Sequence, residues 1–170
     1  MVKLSALFAS TLLALYGSAE PGAQTLNVDR IDVLEHGIYT SSRSNQVAAP
    51  GTAAGTASEV GDIHHATTTR TIPAQEGVEF GFRYTVVGAP ARAEVRLHFV
   101  TIFPPPGMHN PAKREPQAQS EYDHSTQIGV AAYKSYSLRN DWEVVPGNWT
   151  MQIWYGDRKL AEQTFTLVKQ

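Results

Sequence analysis

Residues Glu79–Val86 read EFGFRYTV, and this stretch decides the fold. Large apolar side chains occupy every second position, and small or polar residues lie between them. Successive side chains of a β-strand point to opposite faces of a sheet, so the alternation predicts a half-buried strand. Ala93–Phe103 repeats the pattern. The intervening stretch Val87–Ala91 contains a glycine and a proline, and it predicts a tight connection that joins the two strands in a hairpin.

A second pair of alternating stretches lies near the C-terminus. Every second residue over 149–155 is large and apolar, and Gly156–Asp157 supplies a tight turn before a return strand that carries Leu167 inward. Strict alternation would also point Gln163 into the core. We therefore predict a β-bulge or register change near Ala161–Glu162.

The remaining chain gives weaker signals. Five further stretches are predicted as strands: Asn27–Val33, Ile38–Tyr39, His65–Ile72, Ser125–Val130 and Asp141–Val145. Residues Ala48–Gly61 are small and polar with neither periodicity, so we interpret them as a mobile loop. Pro104–Gln119 is interpreted as a second loop, because its opening run of three prolines ends the preceding strand.

Short strands, hairpin turns and the absence of an amphipathic helical pattern together predict the fold class. We expect an all-β, antiparallel, immunoglobulin-like β-sandwich of about 7–9 short strands with long irregular loops. A closed small barrel is the alternative. The chain has no cysteine, so "immunoglobulin-like" refers here to the sandwich architecture alone. Its 170 residues fit one domain, which we place at residues 27–170.

The N-terminus has the pattern of a secretory signal peptide. Lys3 precedes an apolar run of thirteen residues, Leu4–Tyr16, and the small residues Gly17–Ala19 follow. We predict a signal peptide at residues 1–19, a disordered segment at 20–26, and an exported protein that is periplasmic or extracellular. The run is too short to span a bilayer, and we expect no membrane span in the mature form. A buried N-terminal helix is the alternative.

Composition narrows the function classes. The formal net charge is -2 at pH 7, and no basic stripe is visible, so we expect no nucleic-acid partner. Without cysteine, thiol catalysis, cysteine-ligated zinc and iron–sulfur clusters are excluded. No glycine-rich phosphate-binding loop opens a helix. We therefore expect no cofactor.

Several segments together resemble a bacterial family of domains of unknown function, the one numbered 3859. The likeness extends roughly from Asp29 to Leu167, and it implies a compact β-sandwich with no assigned catalytic residue. The segments that carry it are Thr71–Ala74 with Gly77, Phe80–Phe82, Phe103–Gly107, Trp142–Trp149 and Trp154–Phe165.

Four histidines are candidate metal ligands. His109 and His124 flank the proline-rich loop, and Asp123 adjoins His124, so one hypothesis is a His/His/Asp metal site formed across loops. His64 and His65 are adjacent, and on a regular strand they would face opposite ways. The alternative, which the sequence favours, is that all four are solvent-exposed loop histidines.

Three aromatic residues are candidate ligand-binding residues. Trp154 lies on the face opposite Trp149, which alternation places outside the core, and an exposed tryptophan suits a sugar or peptide. We expect Tyr122 and Tyr136 to contribute to the same binding surface. The alternative is that Trp154 is packed beneath a neighbouring loop and binds no ligand.

No catalytic motif is present. The sequence has neither a Gly-x-Ser-x-Gly elbow nor a Ser-x-x-Lys with supporting motifs, and it favours a non-enzymatic role without deciding the question. We expect an exported module that binds a protein or envelope component. The alternatives are a loop-histidine metal-binding protein or hydrolase, and a structural accessory domain of an assembly.

Overall fold

The computed structural model describes residues 25–169, without the side chains at positions 43, 44 and 59. The expected signal peptide at 1–19 lies outside the described residues, and so does most of the expected disordered segment at 20–26. Within residues 25–169, no helix is both long and apolar enough to cross a bilayer.

The described chain forms nine strands in two sheets. The four-stranded sheet has the order β2-β1-β4-β7, and the five-stranded sheet has the order β3-β9-β8-β5-β6. All neighbours are antiparallel except β3 and β9. The strands are β1 Asn27–Ala48, β2 Thr56–Thr67, β3 Thr71–Pro73, β4 Glu79–Ala89, β5 Glu94–Ile102, β6 Gln119–Gln127, β7 Ala131–Ser137, β8 Gly147–Tyr155 and β9 Arg158–Val168. The predicted antiparallel immunoglobulin-like sandwich is confirmed.

The core lies between the two sheets and is rich in aromatic residues. Phe80, Phe82 and Tyr84 of β4 are fully buried, as the alternation predicted. The ring of Phe80 meets Trp149 of β8 edge-on, with 5.6 Å between ring centroids. The Trp149 indole N–H donates to the Val145 carbonyl at 2.8 Å, so its one polar atom is satisfied despite burial.

The prediction of a hairpin between the two central strands was wrong. β4 belongs to the four-stranded sheet and β5 to the five-stranded sheet, so residues 90–93 carry the chain from one sheet to the other. Pro90, which follows the end of β4, has no N–H with which to continue a ladder. Alternation alone cannot distinguish a hairpin within one sheet from a connection between two sheets, because the apolar faces of both strands are buried in either arrangement.

The predicted C-terminal hairpin is present. Ile153 pairs with Ala161 and Trp154 with Lys159, which leaves Leu160 as the extra residue of a bulge. The bulge therefore lies one residue before the expected position at Ala161–Glu162.

Other segments also differ from expectation. Asp141–Val145 is not a strand: residues 141–143 form a 3₁₀ turn, because the Glu143 carboxylate accepts hydrogen bonds from the N–H groups of Arg139 and Asn140. The supposed loop Ala48–Gly61 contains the start of β2. Strand β7 was not predicted at all, since its residues AAYKSYS carry little apolar alternation.

The packing of β7 against β4 depends on Gly81. A Cβ atom at this position would lie 2.1 Å from the Lys134 carbonyl oxygen and 2.6 Å from the Ser135 Cα. We expect Gly81→Ala to lower the free energy of unfolding by about 1–3 kcal/mol, because the two strands must separate. The measurement is urea unfolding of both proteins.

Gly61→Ala is the matched control. It also lies in a strand, but its Cβ would meet only the flexible Ser42 Oγ at 3.3 Å among the described atoms. Its effect should stay within about 0.5 kcal/mol. Equal destabilisation by the two substitutions would contradict the β4–β7 register.

Candidate functional site

A cavity of about 1030 Å³ lies between an edge strand of each sheet. β6 is an edge of the five-stranded sheet and β7 is an edge of the four-stranded sheet. Residues 120–124 of β6 and most of residues 132–137 of β7 line the cavity, together with Phe99 of β5 and Trp142. The cavity therefore occupies the side of the sandwich where no strand of the described chain joins the two sheets.

The hairpin of β1 and β2 covers this side. Its tip, residues 49–55, reaches the edge of β6, where the Glu121 N–H donates to the Gly51 carbonyl at 2.9 Å. The Ala53 N–H donates to Ser120 Oγ at 2.7 Å. A Cβ atom at Gly51 would lie 2.3 Å from the Glu121 carbonyl oxygen, so this close approach requires glycine. The segment that we predicted to be a mobile loop is thus a docked hairpin tip.

Further contacts hold the hairpin in place. The Lys113 ammonium donates to the Thr52 carbonyl at 2.9 Å, and the Asn110 side chain donates to the Ala53 carbonyl at 2.9 Å. At the start of β2, the Arg139 guanidinium donates to Ser58 Oγ at 2.7 Å. The cavity consequently has three walls, which are the hairpin, β6 and β7.

Part of the β6 edge presents unpaired backbone groups to the cavity. In an antiparallel strand, the N–H and C=O groups of every second residue point to the same side. The Glu121 N–H points away from β5 toward Gly51, and the register of β5 with β6 is regular, so the N–H of Asp123 points the same way. Within the described residues, no backbone partner meets Asp123 on that side.

Lys134 of β7 is the most unusual residue next to the cavity. Its side chain points into the core and is 1% exposed. Its Nζ donates to Thr101 Oγ1 at 3.3 Å and lies 4.5 Å from the centroid of the Phe99 ring. No carboxylate of the described residues pairs with it, and burial lowers the pKa of Lys134 to about 7.

Two titratable residues of β6 lie near this amine. Lys134 Nζ is 5.5 Å from the Tyr122 ring centroid, and burial raises the pKa of Tyr122 to about 12. The His124 ring stacks on Phe99 with 5.4 Å between centroids. Burial, and then the nearby Lys134 amine, lowers the pKa of His124, so the imidazole is neutral at pH 7.

The carboxylates in the cavity wall already have donors. Glu143 is buried, and its oxygens accept hydrogen bonds from the Tyr136 hydroxyl at 3.0 Å and from the N–H of Asn140 at 2.9 Å. Glu79 is also buried and accepts from the hydroxyls of Ser41 and Ser135 at 2.7 and 3.0 Å. These acids therefore act as hydrogen-bond acceptors within the wall.

The three predicted aromatic residues fall into two places. Tyr122 and Tyr136 both line the cavity. Trp154 lies on the outer face of the five-stranded sheet, where it is half-exposed and its indole N–H donates to Gln152 Oε1 at 2.9 Å. It borders a smaller groove with His98, so it does not converge with the two tyrosines.

The four predicted histidines are also dispersed. His124 lines the cavity, whereas His64 and His65 lie on β2, paired with Thr40 and Tyr39 of β1. His109 is exposed in the proline-rich loop. Across residues 25–169, no group of three or more His, Asp or Glu side chains is placed to hold a metal ion.

Sequence reasoning missed Lys134, although a signal was available. In the stretch Ala132–Tyr136, period-two alternation places Ala132, Lys134 and Tyr136 on one face. A lysine flanked by an alanine and a tyrosine on an inward face is unusual. The signal was not used because β7 was not predicted as a strand.

Comparison with known proteins agrees with the fold. Residues 27–167 match the sequence model of the family described as "Domain of unknown function (DUF3859)". The crystal structure of an immunoglobulin-like protein from Pseudomonas aeruginosa is similar, with a TM-score of 0.53 and 22% identity, covering 86% of this chain and all of that one. No curated protein sequence gives a significant match.

A second solved structure gives a weaker match. It is the alkylpurine DNA glycosylase AlkC of Pseudomonas fluorescens bound to DNA containing an abasic site analogue. The TM-score is 0.37 at 15% identity, and the match covers 59% of this chain and 28% of that one. A similarity at this level supports no statement about this chain.

Lys134 makes stability depend on pH. Between pH 7 and about 10, the folded state binds fewer protons at Lys134 than the unfolded chain does, so the free energy of unfolding rises with pH. The slope contributed by one proton is at most about 1.4 kcal/mol per pH unit. His124 is neutral throughout this pH range, and Tyr122, whose pKa is raised, loses its proton only above it. Neither residue therefore contributes to the slope. We expect Lys134→Met to remove this rise, as measured by urea unfolding from pH 7 to 9.5.

Lys159→Met is the control, because the Lys159 side chain is 42% exposed and its charge is in a surface ion pair with Glu162. This variant should keep the slope of the original protein. If Lys134→Met and Lys159→Met had the same pH dependence, the account of a buried amine with a lowered pKa would be wrong.

Proposed function

This chain belongs to the DUF3859 family of domains of unknown function, and from its geometry we propose that it is a non-catalytic module that binds an extended segment of a protein partner along the open edge of β6. One observation carries the proposal. The N–H of Asp123 has no backbone partner among the described residues, and it faces a cavity that is walled on three sides.

An extended peptide is the occupant that suits such an edge. Peptides that add a strand to a sheet obtain affinity from main-chain hydrogen bonds and specificity from pockets for alternate side chains. The protein already contains one contact of this kind, because the Gly51 carbonyl accepts from the Glu121 N–H. A bound segment would continue that pairing from Gly51 toward Asp123.

The walls of the cavity indicate the side chains that a bound segment would carry. Tyr122, Tyr136 and Trp142 are half-buried aromatic residues in the lining. The wall carboxylates of Glu79 and Glu143 are satisfied by hydrogen bonds from the protein itself. Side chains that point inward from the peptide would therefore be apolar or aromatic, since aromatic walls give such groups a large contact area.

We place this activity outside the cytoplasm. The supporting feature is the pattern of residues 1–19, in which an apolar run between Lys3 and the small residues Gly17–Ala19 is typical of a signal peptide. The partner would accordingly be a secreted protein or a protein component of the cell envelope.

The backbone contact can be tested with Asp123→Pro and Asp123→Ala. Both lose the carboxylate that pairs with Arg96, but only the proline lacks the N–H that faces the cavity. Proline is tolerated where the N–H of an edge strand points away from its neighbour. Peptides selected from a random phage-displayed library on the full chain serve as probes, with affinities measured by calorimetry.

We expect Asp123→Pro to weaken binding about tenfold or more, because one main-chain hydrogen bond is lost. Asp123→Ala should bind within a few-fold of the original protein. Thermal unfolding of both variants establishes that they are folded. Equal affinities for the two variants, or a library from which no peptide is enriched, would contradict the proposal.

A further inference from the structure

Peptide binding does not use the buried amine of Lys134. Its hydrogen-bond partner among the described residues is Thr101 Oγ1, and no carboxylate offsets a charge at this position. A buried ionisable group normally has a partner, because an unpaired charge in the core costs several kcal/mol. An amine kept in such a site is a candidate for chemistry that needs its neutral form.

The amine is adjacent to the cavity. Ala132 and Tyr136, two residues before and after Lys134 on the same face of β7, both line it. The rings of Phe99 and Tyr122 also line it, and Lys134 Nζ lies over these rings at 4.5 and 5.5 Å from their centroids. The two rings pack edge to face, with 5.3 Å between their centroids, and form the wall between the cavity and the nitrogen, so a small ligand must displace one ring to reach the amine.

We propose that Lys134 is a nucleophilic amine that captures an aldehyde or ketone ligand in this cavity as an imine. The nitrogen lone pair attacks the carbonyl carbon and forms a C–N bond, while the C=O π electrons move to oxygen. The carbinolamine then loses that oxygen as water, whose two hydrogens come from the amine. The product is a C=N bond, and no oxidant or reductant is required.

A carbonyl compound fits the surroundings of Lys134 better than an anion does. An anionic ligand would need the ammonium form and further donors, whereas the nitrogen lies among aromatic faces with a single hydroxyl neighbour. Burial lowers the pKa of Lys134 to about 7, so the lone pair is available at neutral pH. The aromatic walls favour an apolar or aromatic carbonyl compound.

Reductive trapping tests the inference. The full chain is treated with benzaldehyde and sodium cyanoborohydride at pH 7.5, and the rate of benzylation at each lysine is measured by peptide mass spectrometry. Lys159 is the internal control, since its side chain is 42% exposed. An ordinary lysine is neutral in about one molecule in a thousand at this pH, so we expect Lys134 to react at least about ten times faster.

Two further experiments test whether the reactivity of Lys134 comes from its folded environment and is independent of peptide binding. In concentrated urea the rates at Lys134 and Lys159 should converge, because unfolding abolishes the special environment of Lys134. Asp123→Pro should retain the preference for Lys134, so that failure of peptide binding and failure of amine reactivity are distinguishable. A folded protein in which Lys134 reacts no faster than Lys159 would overturn the inference.

Discussion

The hydrogen bond from the Glu121 N–H to the Gly51 carbonyl is the contact on which the proposed site depends. The two sheets have four and five strands, and on the side of β6 and β7 no described strand joins them. The hairpin of β1 and β2 spans this gap. The absence of a side chain at Gly51 permits the approach, since a Cβ atom there would lie 2.3 Å from the Glu121 carbonyl oxygen. Without the docked hairpin, the cavity would be an open face of the sandwich.

Two features with different chemistry border the resulting cavity. The edge of β6 offers backbone groups, which recognise an extended chain through geometry that is independent of its sequence. Lys134 offers a nitrogen that is buried among Phe99 and Tyr122 with one hydroxyl partner. The sandwich thus combines a surface for main-chain pairing with a reactive side chain below it, and each can act without the other.

Alternation in the sequence predicted much of the fold and some of the site. The pattern over Glu79–Val86 identified β4 because its inward side chains are large and apolar. It could not determine the sheet of β5, since a hairpin and a crossover bury the same faces. Tyr122 and Tyr136 were predicted as binding residues and both line the cavity, but Trp154 was grouped with them and lies on the outer sheet face. β7 was missed because a lysine occupies an inward position where the pattern requires an apolar residue.

Amide hydrogen exchange of the free protein, followed residue by residue by NMR, tests the open edge of β6 most directly. The account predicts slow exchange at Glu121, whose N–H is bonded to Gly51, and at Tyr122, whose backbone pairs with β5. It predicts fast exchange at Asp123, whose N–H faces the cavity. Protection of Asp123 equal to that of Tyr122 would show that the edge is already paired, and the binding slot would not exist.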